Sequence, residues 1–391
     1  MTDGGNRSGR LESLDALRGF DMLFISGLDT LIVALCTVFG ATDCWLARQM
    51  DHALWCGLNH HDTIFPLFLF MSGVSVPFSL AAQRARGRSE RAIALKTVRR
   101  AAVLALFAAI LGGLCSFDWP NIRYLDVLTT IGCCGGVAAL VYQFVPNCRL
   151  RAAVCVSILA GYWLLLRFVP APDVATLPVP TVPEWQGTGP FSLLGNLCGY
   201  VDRCLLPGSF YTFSDAAGRG IFEEDGILHN VAAVATAMLG VFAGEIVRLP
   251  VGRATGRRKV LMLFGCAAIC LVLTYACLPF CPIVMKLWSP TYVLANGAWS
   301  FALFAVFYWL IDVRGFRRWA FPLRVVGLNS IVIYLLNRSG LIQPVARYLF
   351  CGVASLSGHP GYESMILSAG LLLMNVGIMH WLYRQRIFLK V

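Results

Sequence analysis

Apolar blocks of about 20 residues recur along the whole chain, each long enough to cross roughly 30 Å of hydrocarbon as a helix. With charge, Pro and Gly taken as breaks, the pattern predicts about ten helices, near residues 16–40, 62–83, 101–117, 125–145, 152–170, 227–247, 260–280, 291–312, 323–341 and 363–384. The predicted fold class is therefore all-α, a polytopic membrane protein with about ten transmembrane helices. Residues 171–226, rich in Pro and polar side chains, are too long for a turn and form an extramembrane cap in this reading. The second half carries no convincing echo of 16–40 or 62–83. One transmembrane domain over residues 1–391, cap included, is the simpler organisation than repeated transporter halves. The spacings Gly132/Gly136 and Gly240/Gly244 allow close helix packing.

Composition agrees, with 58% hydrophobic and 14% charged residues. The net charge of +11 could signal nucleic acid, but that needs clustered Lys and Arg with interleaved aromatics. Here the basic residues sit between spans, and every second loop is basic: Arg84 to Arg100, Arg149/Arg151, Arg248 to Lys259, Arg314 to Arg324 and Arg384 to Lys390. The positive-inside rule makes those loops cytoplasmic. Arg7 and Arg10 start the chain inside, and an even number of spans returns its C-terminus there. Segments 41–61, 171–226, 281–290 and 342–362 then face outward, the acids Asp215, Glu223 and Glu224 among them. Met1 to Arg10 is polar, so the first span reads as a signal anchor. Most of the fifteen cysteines fall inside spans as small hydrophobes. Cys44, Cys56, Cys198, Cys204, Cys281 and Cys351 lie near the outer face, where an oxidising compartment would permit a disulfide of unassigned pairing.

A charge inside hydrocarbon is costly and is kept where it faces a cavity, a partner or a substrate. The candidates are Asp21, Asp29, Asp62, His229, Glu245, Asp312 and Arg338. Glu245 and Asp312 read as solvated helix ends beside Arg248 and Arg314, and Asp21 as a partner for Arg18 one turn away. Asp29, His52 and Asp62 differ, because all three converge on the outer mouth of the first two spans. A carboxylate holds a histidine in one tautomer and makes it a better base, and imidazole can also accept an acyl group. The bland alternative is an interfacial histidine that only hydrogen-bonds. His52, Cys56, His60, His61 and Asp62 lack the three or four convergent ligands that zinc requires, so no metal is expected.

Several blocks carry a resemblance. Ser13 to Phe20 (SLDALRGF), His52 to Leu58 (HALWCGL) and Asp62 to Phe68 (DTIFPLF) resemble the opening motifs of the heparan-α-glucosaminide N-acetyltransferase family in a bacterial version. Gly195 to Arg203, Asp225 to Leu228, Leu239 to Gly244, Lys286 to Ser289 and Gly327 to Ser330 follow in the family's order. The resemblance implies transfer of an acetyl group from cytosolic acetyl-CoA, as co-substrate, to an amino sugar or related glycan across the membrane. It implies His52 as the catalytic histidine, with Asp62 before the Phe-Pro of span two. Asp29 falls where the animal enzyme has an active-site Asn. Contacts to acetyl-CoA fall on Arg18, Lys286, Trp288, Asn329 and Ser330, and contacts to the sugar on Asn196, Asp202, Arg203 and Asp225. Two departures stand out: Thr129-Thr130 replaces a Gln-Arg pair, and Glu223-Glu224-Asp225-Gly226 replaces Asp-Pro-Glu-Gly. The rival from another class is an amino-sugar permease with a proton relay through Asp29, His52 and Asp62. The expected partners are the lipid bilayer and the sugar, with no nucleic acid; a homodimer is left open.

Overall fold

The computed structural model describes residues 11–180, 182–207, 210, 212–214 and 220–389. Arg7, Arg10, Asp215 and Lys390 lie outside the described residues. The first span runs over Glu12–Val38 in two α-helical parts, α1 (Glu12–Leu23) and α2 (Asp29–Val38), joined through a π-helical turn at Phe24–Leu28. Gly27 sits in that turn at φ 108°, which an L side chain adopts only with strain. The short α3 (Trp45–Gln49) precedes α4 (His61–Ala85), followed by α5 (Glu90–Leu111), α6 (Val127–Phe144) and α7 (Cys148–Phe168). The cap contributes α8 (Leu197–Leu205) and an antiparallel pair, β1 (Thr212–Ser214) with β2 (Gly220–Phe222). Then come α9 (Ile227–Arg248), α10 (Gly256–Cys277), α11 (Pro290–Phe307), α12 (Phe321–Gly327), α13 (Ser330–Arg338), α14 (Ile342–Ser355) and α15 (Pro360–Arg384).

Among the described residues, eight helices are long and apolar enough to cross a membrane. Together with the scarcity of strands, they make this an all-α, multi-pass membrane protein. Two of the ten expected segments are not among these eight. The segment predicted at 101–117 is the second half of α5, whose first half carries Arg91, Lys96, Arg99 and Arg100. The segment predicted at 323–341 is broken between α12 and α13 at Leu328 and Asn329. The amphipathic α14 falls in the predicted 342–362 loop, with Tyr348 and Leu349 exposed.

Helices α4, α9 and α11 are mostly buried, whereas under a third of α7, α10 and α15 is buried. The α4–α9 contact is the most extensive, and small residues set its closeness. A β-carbon at Gly240 would overlap the Phe70 carbonyl oxygen, and one at Gly73 would overlap that of Ala237. The expected role of Gly240 and Gly244 in close packing is seen directly, since both press on the α4 backbone.

Several expected partners differ. Arg18 lies 3.6 Å from Asp15, and Asp21 is buried with Oδ2 lacking a hydrogen bond. Glu245 pairs with the buried Arg151 of α7, while Arg248 donates to the Pro77 carbonyl at 2.8 Å. Asp312 accepts from the Ser13 N–H at 3.2 Å. Helix rotation chose these partners, so nearness in sequence was a poor guide.

Candidate active site

His52 lies in the loop between α3 and α4, and Asp62 in the first turn of α4, ten residues on. His52 Nδ1 stands 2.7 Å from Asp62 Oδ1. Asp62 Oδ2 accepts the N–H of Asn59 at 2.9 Å and of Ala53 at 3.3 Å, and the Tyr292 hydroxyl donates to the Asp62 carbonyl at 2.7 Å. The loop therefore folds around the buried carboxylate. An acceptor in that position sets the imidazole tautomer, with the proton on Nδ1 and the lone pair on Nε2. The His52 side chain is 45% exposed and lines a cavity, so the ring is within reach of a substrate.

Asp29 does not join this pair. Its Oδ2 lies 3.5 Å from His61 Nδ1, and the His61 ring stands edge-on to His52 with centroids 4.4 Å apart. His60 turns away, packing on Phe24 at 4.5 Å. Among the described residues no group of three or more His, Cys, Asp or Glu is arranged to hold a metal ion.

His52, His61 and Asp62 line a cavity of about 210 Å³. Trp288 and Tyr292 form one wall, Glu224 and Asp225 another, and Ser330 and Tyr334 a third. Trp288 has φ 48°, unusual for a bulky residue. It is held by a 3.1 Å hydrogen bond from its indole to Thr236 and by stacking on His229 at 5.5 Å. A second cavity of about 350 Å³ shares Phe68, Leu128, Ile131, Ser330 and Ile331 with the first. It continues to Ser72, Ser75, Ser79, Arg18 and Arg100. His61, Phe65, Phe68, Ser72, Ser75 and Ser79 are spaced by four, three, four, three and four, one face of α4. That face lines both cavities over about 27 Å of helix.

The acidic wall is a buried ionic cluster. Arg123 reaches Glu223 at 2.5 Å and Asp225 at 2.8 Å, Lys286 pairs with Glu224 at 2.6 Å, and Arg338 reaches Asp126 at 3.2 Å. Tyr334 donates to Asp126 at 3.1 Å. Four carboxylates thus face three cations, which favours retention of one proton. Burial pushes the Asp225 carboxyl up to about 8, with Arg123 pulling the other way. Burial also works against the charge on Arg123, but Glu223 and Asp225 outweigh it and raise its pKa. The native state then holds a proton on Asp225 that the unfolded chain releases near pH 4, about the ordinary carboxyl value. Stability is expected to fall as pH rises from about 4 to about 8, by at most about 1.4 kcal/mol per pH unit. Melting temperature in detergent, scanned from pH 5 to 8.5, checks this: Asp225→Asn should flatten the slope.

The other sequence candidates separate. Asn196 is buried and spends its amide on the Gly199 N–H and on the Ser192 and Leu193 carbonyls. Asp202 accepts the Ile227 N–H at 2.8 Å, and Arg203 grips Asp173 at 2.8 Å. Asn196 and Arg203 make contacts within the cap and Asp202 ties it to α9; none of the three lines the described cavities. Asn329 binds the Ile387 carbonyl and the Leu389 N–H, away from the first cavity. Trp288, Ser330 and Asp225 do line that cavity, and Lys286 reaches it through Glu224. Arg18 lines the second. At the Thr129-Thr130 departure both hydroxyls are buried without a hydrogen-bond partner. The sequence reading weighed His61 only as a metal ligand and did not single out Tyr292, Tyr334 or the three serines of α4; the serine spacing was the available signal. Cys44 lies 3.6 Å from Cys36, a residue read as lying inside a span.

No family model matches the chain. It is similar to human heparan-alpha-glucosaminide N-acetyltransferase, 27% identical over 370 residues, covering 83% of this chain and 52% of the human protein. The mouse protein of the same name is 26% identical over 370 residues, with 83% and 53% covered. The chain thus spans about half the length of the curated relatives it matches. Homology at this level over most of the chain supports its membership of the heparan-alpha-glucosaminide N-acetyltransferase family.

Proposed function

We propose that the chain is a membrane acetyltransferase, moving an acetyl group from cytosolic acetyl-CoA to an amino sugar or related glycan at the outer face of a bacterial inner membrane. One observation carries this reading: a carboxylate-held histidine opens on a cavity that runs on, along one face of α4, toward Arg18 and Arg100. In this orientation, with both termini cytoplasmic, the arginines lie toward the cytoplasm, where they would meet the phosphates of the donor. The thioester arm would follow Ser72, Ser75 and Ser79 toward His52. There Nε2 either accepts the acetyl group or takes a proton from the attacking acceptor. The Lys286–Glu224 pair and Asp225 border the space left for the sugar.

Purified protein in detergent, given radiolabelled acetyl-CoA with and without glucosamine, tests the reading. Label should reach glucosamine; no acetyl-CoA binding and no transfer would sink it. Sugar uptake by proteoliposomes without label transfer would favour a permease instead. Arg100→Ala is expected to raise the KM for acetyl-CoA about 10- to 100-fold with kcat little changed, the range for losing a charge-assisted hydrogen bond. Steady-state kinetics at varied acetyl-CoA measures it.

A further inference from the structure

An amine acceptor is an ammonium ion near neutral pH, and two protons leave its nitrogen on acetylation. The first must go before the lone pair can attack. The second leaves after the C–N bond forms and ends on the thiol. One imidazole at the reacting atoms handles the second, which leaves the first without an acceptor.

The structure holds a second histidine–carboxylate pair in the right place. His61 lines the same cavity as His52, with its ring 4.4 Å away. Its Nδ1 is 3.5 Å from Asp29 Oδ2, an ion-pair distance, and makes no closed hydrogen bond. Asp29 Oδ1 is anchored by the Thr30 N–H at 2.6 Å. Asp29 also lines a separate cavity of about 730 Å³, together with Asp43, Asp51, Arg48 and His359. His61 and Asp29 therefore stand in the wall between the reaction cavity and a polar vestibule on the same face.

We infer that His61 and Asp29 form a second dyad, which deprotonates the acceptor ammonium and passes that proton to the vestibule. The inference rests on the acetyltransferase reading above. The ammonium gives one proton to His61, Asp29 steadies the resulting imidazolium, and vestibule water takes the proton away. The free amine attacks the thioester carbonyl, the C–N bond forms and the C–S bond breaks. His52 moves the remaining N–H proton to the departing thiolate. Ammonium plus thioester becomes amide, thiol and one released proton, so the step balances. If His52 carries the acetyl group first, the ammonium proton still has to leave by the same route. The charged and titratable groups facing His61 are His52, His60, Asp29, Asp51 and Asp62, with Glu224 and Asp225 on the opposite wall of the cavity.

The test compares glucosamine with methoxyamine, an amine already unprotonated at neutral pH, as acceptors for the purified full chain. In His61→Gln and Asp29→Asn, the ratio of the glucosamine rate to the methoxyamine rate at pH 7 should fall up to about 10-fold, the limit set by the free-amine fraction of an amino group with pKa near 8. The glucosamine pH–rate profile should move to higher pH, where free amine is present without help. An unchanged ratio and profile in both variants would overturn the inference, as would equal loss with both acceptors. Asp29→Asn guards against a packing effect at His61. A parent chain inactive with both acceptors would bring down the acetyltransferase reading and this inference with it, whereas activity with an unchanged ratio removes the dyad alone.

Discussion

His52→Ala is expected to lower acetyl transfer to glucosamine by about 10³-fold or more, within the range for removing a general base and beyond it if the imidazole carries the acetyl group. The ring is 45% exposed and packs edge-on to His61, so its removal opens no closed core and melting in detergent should be nearly unchanged. Asp62→Asn is the companion. Its Oδ2 accepts two loop N–H groups, and its Oδ1 the His52 ring. An amide can accept at one oxygen alone. If that oxygen keeps the loop, its NH₂ faces Nδ1 and favours the tautomer with the proton on Nε2. Transfer should then fall by about 10²-fold or more with acetyl-CoA binding retained. The measurement is label transfer at saturating acetyl-CoA and glucosamine, beside a melting curve. Full activity in His52→Ala would remove His52 from the chemistry.

A large packing effect on stability is expected at Gly240→Val. A β-carbon there would overlap the Phe70 carbonyl oxygen, a backbone atom that cannot rotate away. Either α4 and α9 separate or the helix distorts, and overpacking of this kind costs about 1–3 kcal/mol or more. Helix α4 carries the cavity-lining residues His61, Phe65 and Phe68 on the side opposite its α9 contact, so a displaced α4 moves them and activity should fall with folded yield. Gly161→Ala on α7 is the control, since nothing lies within 4 Å of a β-carbon there. It should be neutral or slightly stabilising, because alanine is the better helix former. Thermal melting and monodispersity in detergent separate the two, and a Gly240→Val protein as stable as its parent would refute the packing account.

Much of this site was legible because its parts are local. His52 and Asp62 are ten residues apart on one loop and the helix it enters, so a carboxylate–histidine pair could be read from the order of residues. Asp29 could not be assigned in the same way. The π-helical turn before it adds a residue to the helical repeat, and Asp29 meets His61 instead of His52. Arg338 was visible as an ion inside a span, yet its partner Asp126 stands 212 residues away. The cap residues were read as sugar ligands, and the fold gives them contacts that residue order does not name: Asn196 caps α8, Asp202 holds the Ile227 N–H at the start of α9, and Arg203 pairs with Asp173.

By itself the sequence determined the helical, multi-pass character of the protein and the histidine and acid at the mouth of the second span. Both follow from hydropathy and residue order over one or two helices. Tertiary structure decided which carboxylate faces which histidine, which cations balance Glu223, Glu224 and Asp225, and that two cavities adjoin along one face of α4. Those outcomes depend on the rotation of each helix about its axis. Close backbone contact at Gly73 and Gly240 and the π-helical turn at Phe24–Leu28 set that rotation, through neighbours that a run of apolar residues does not name.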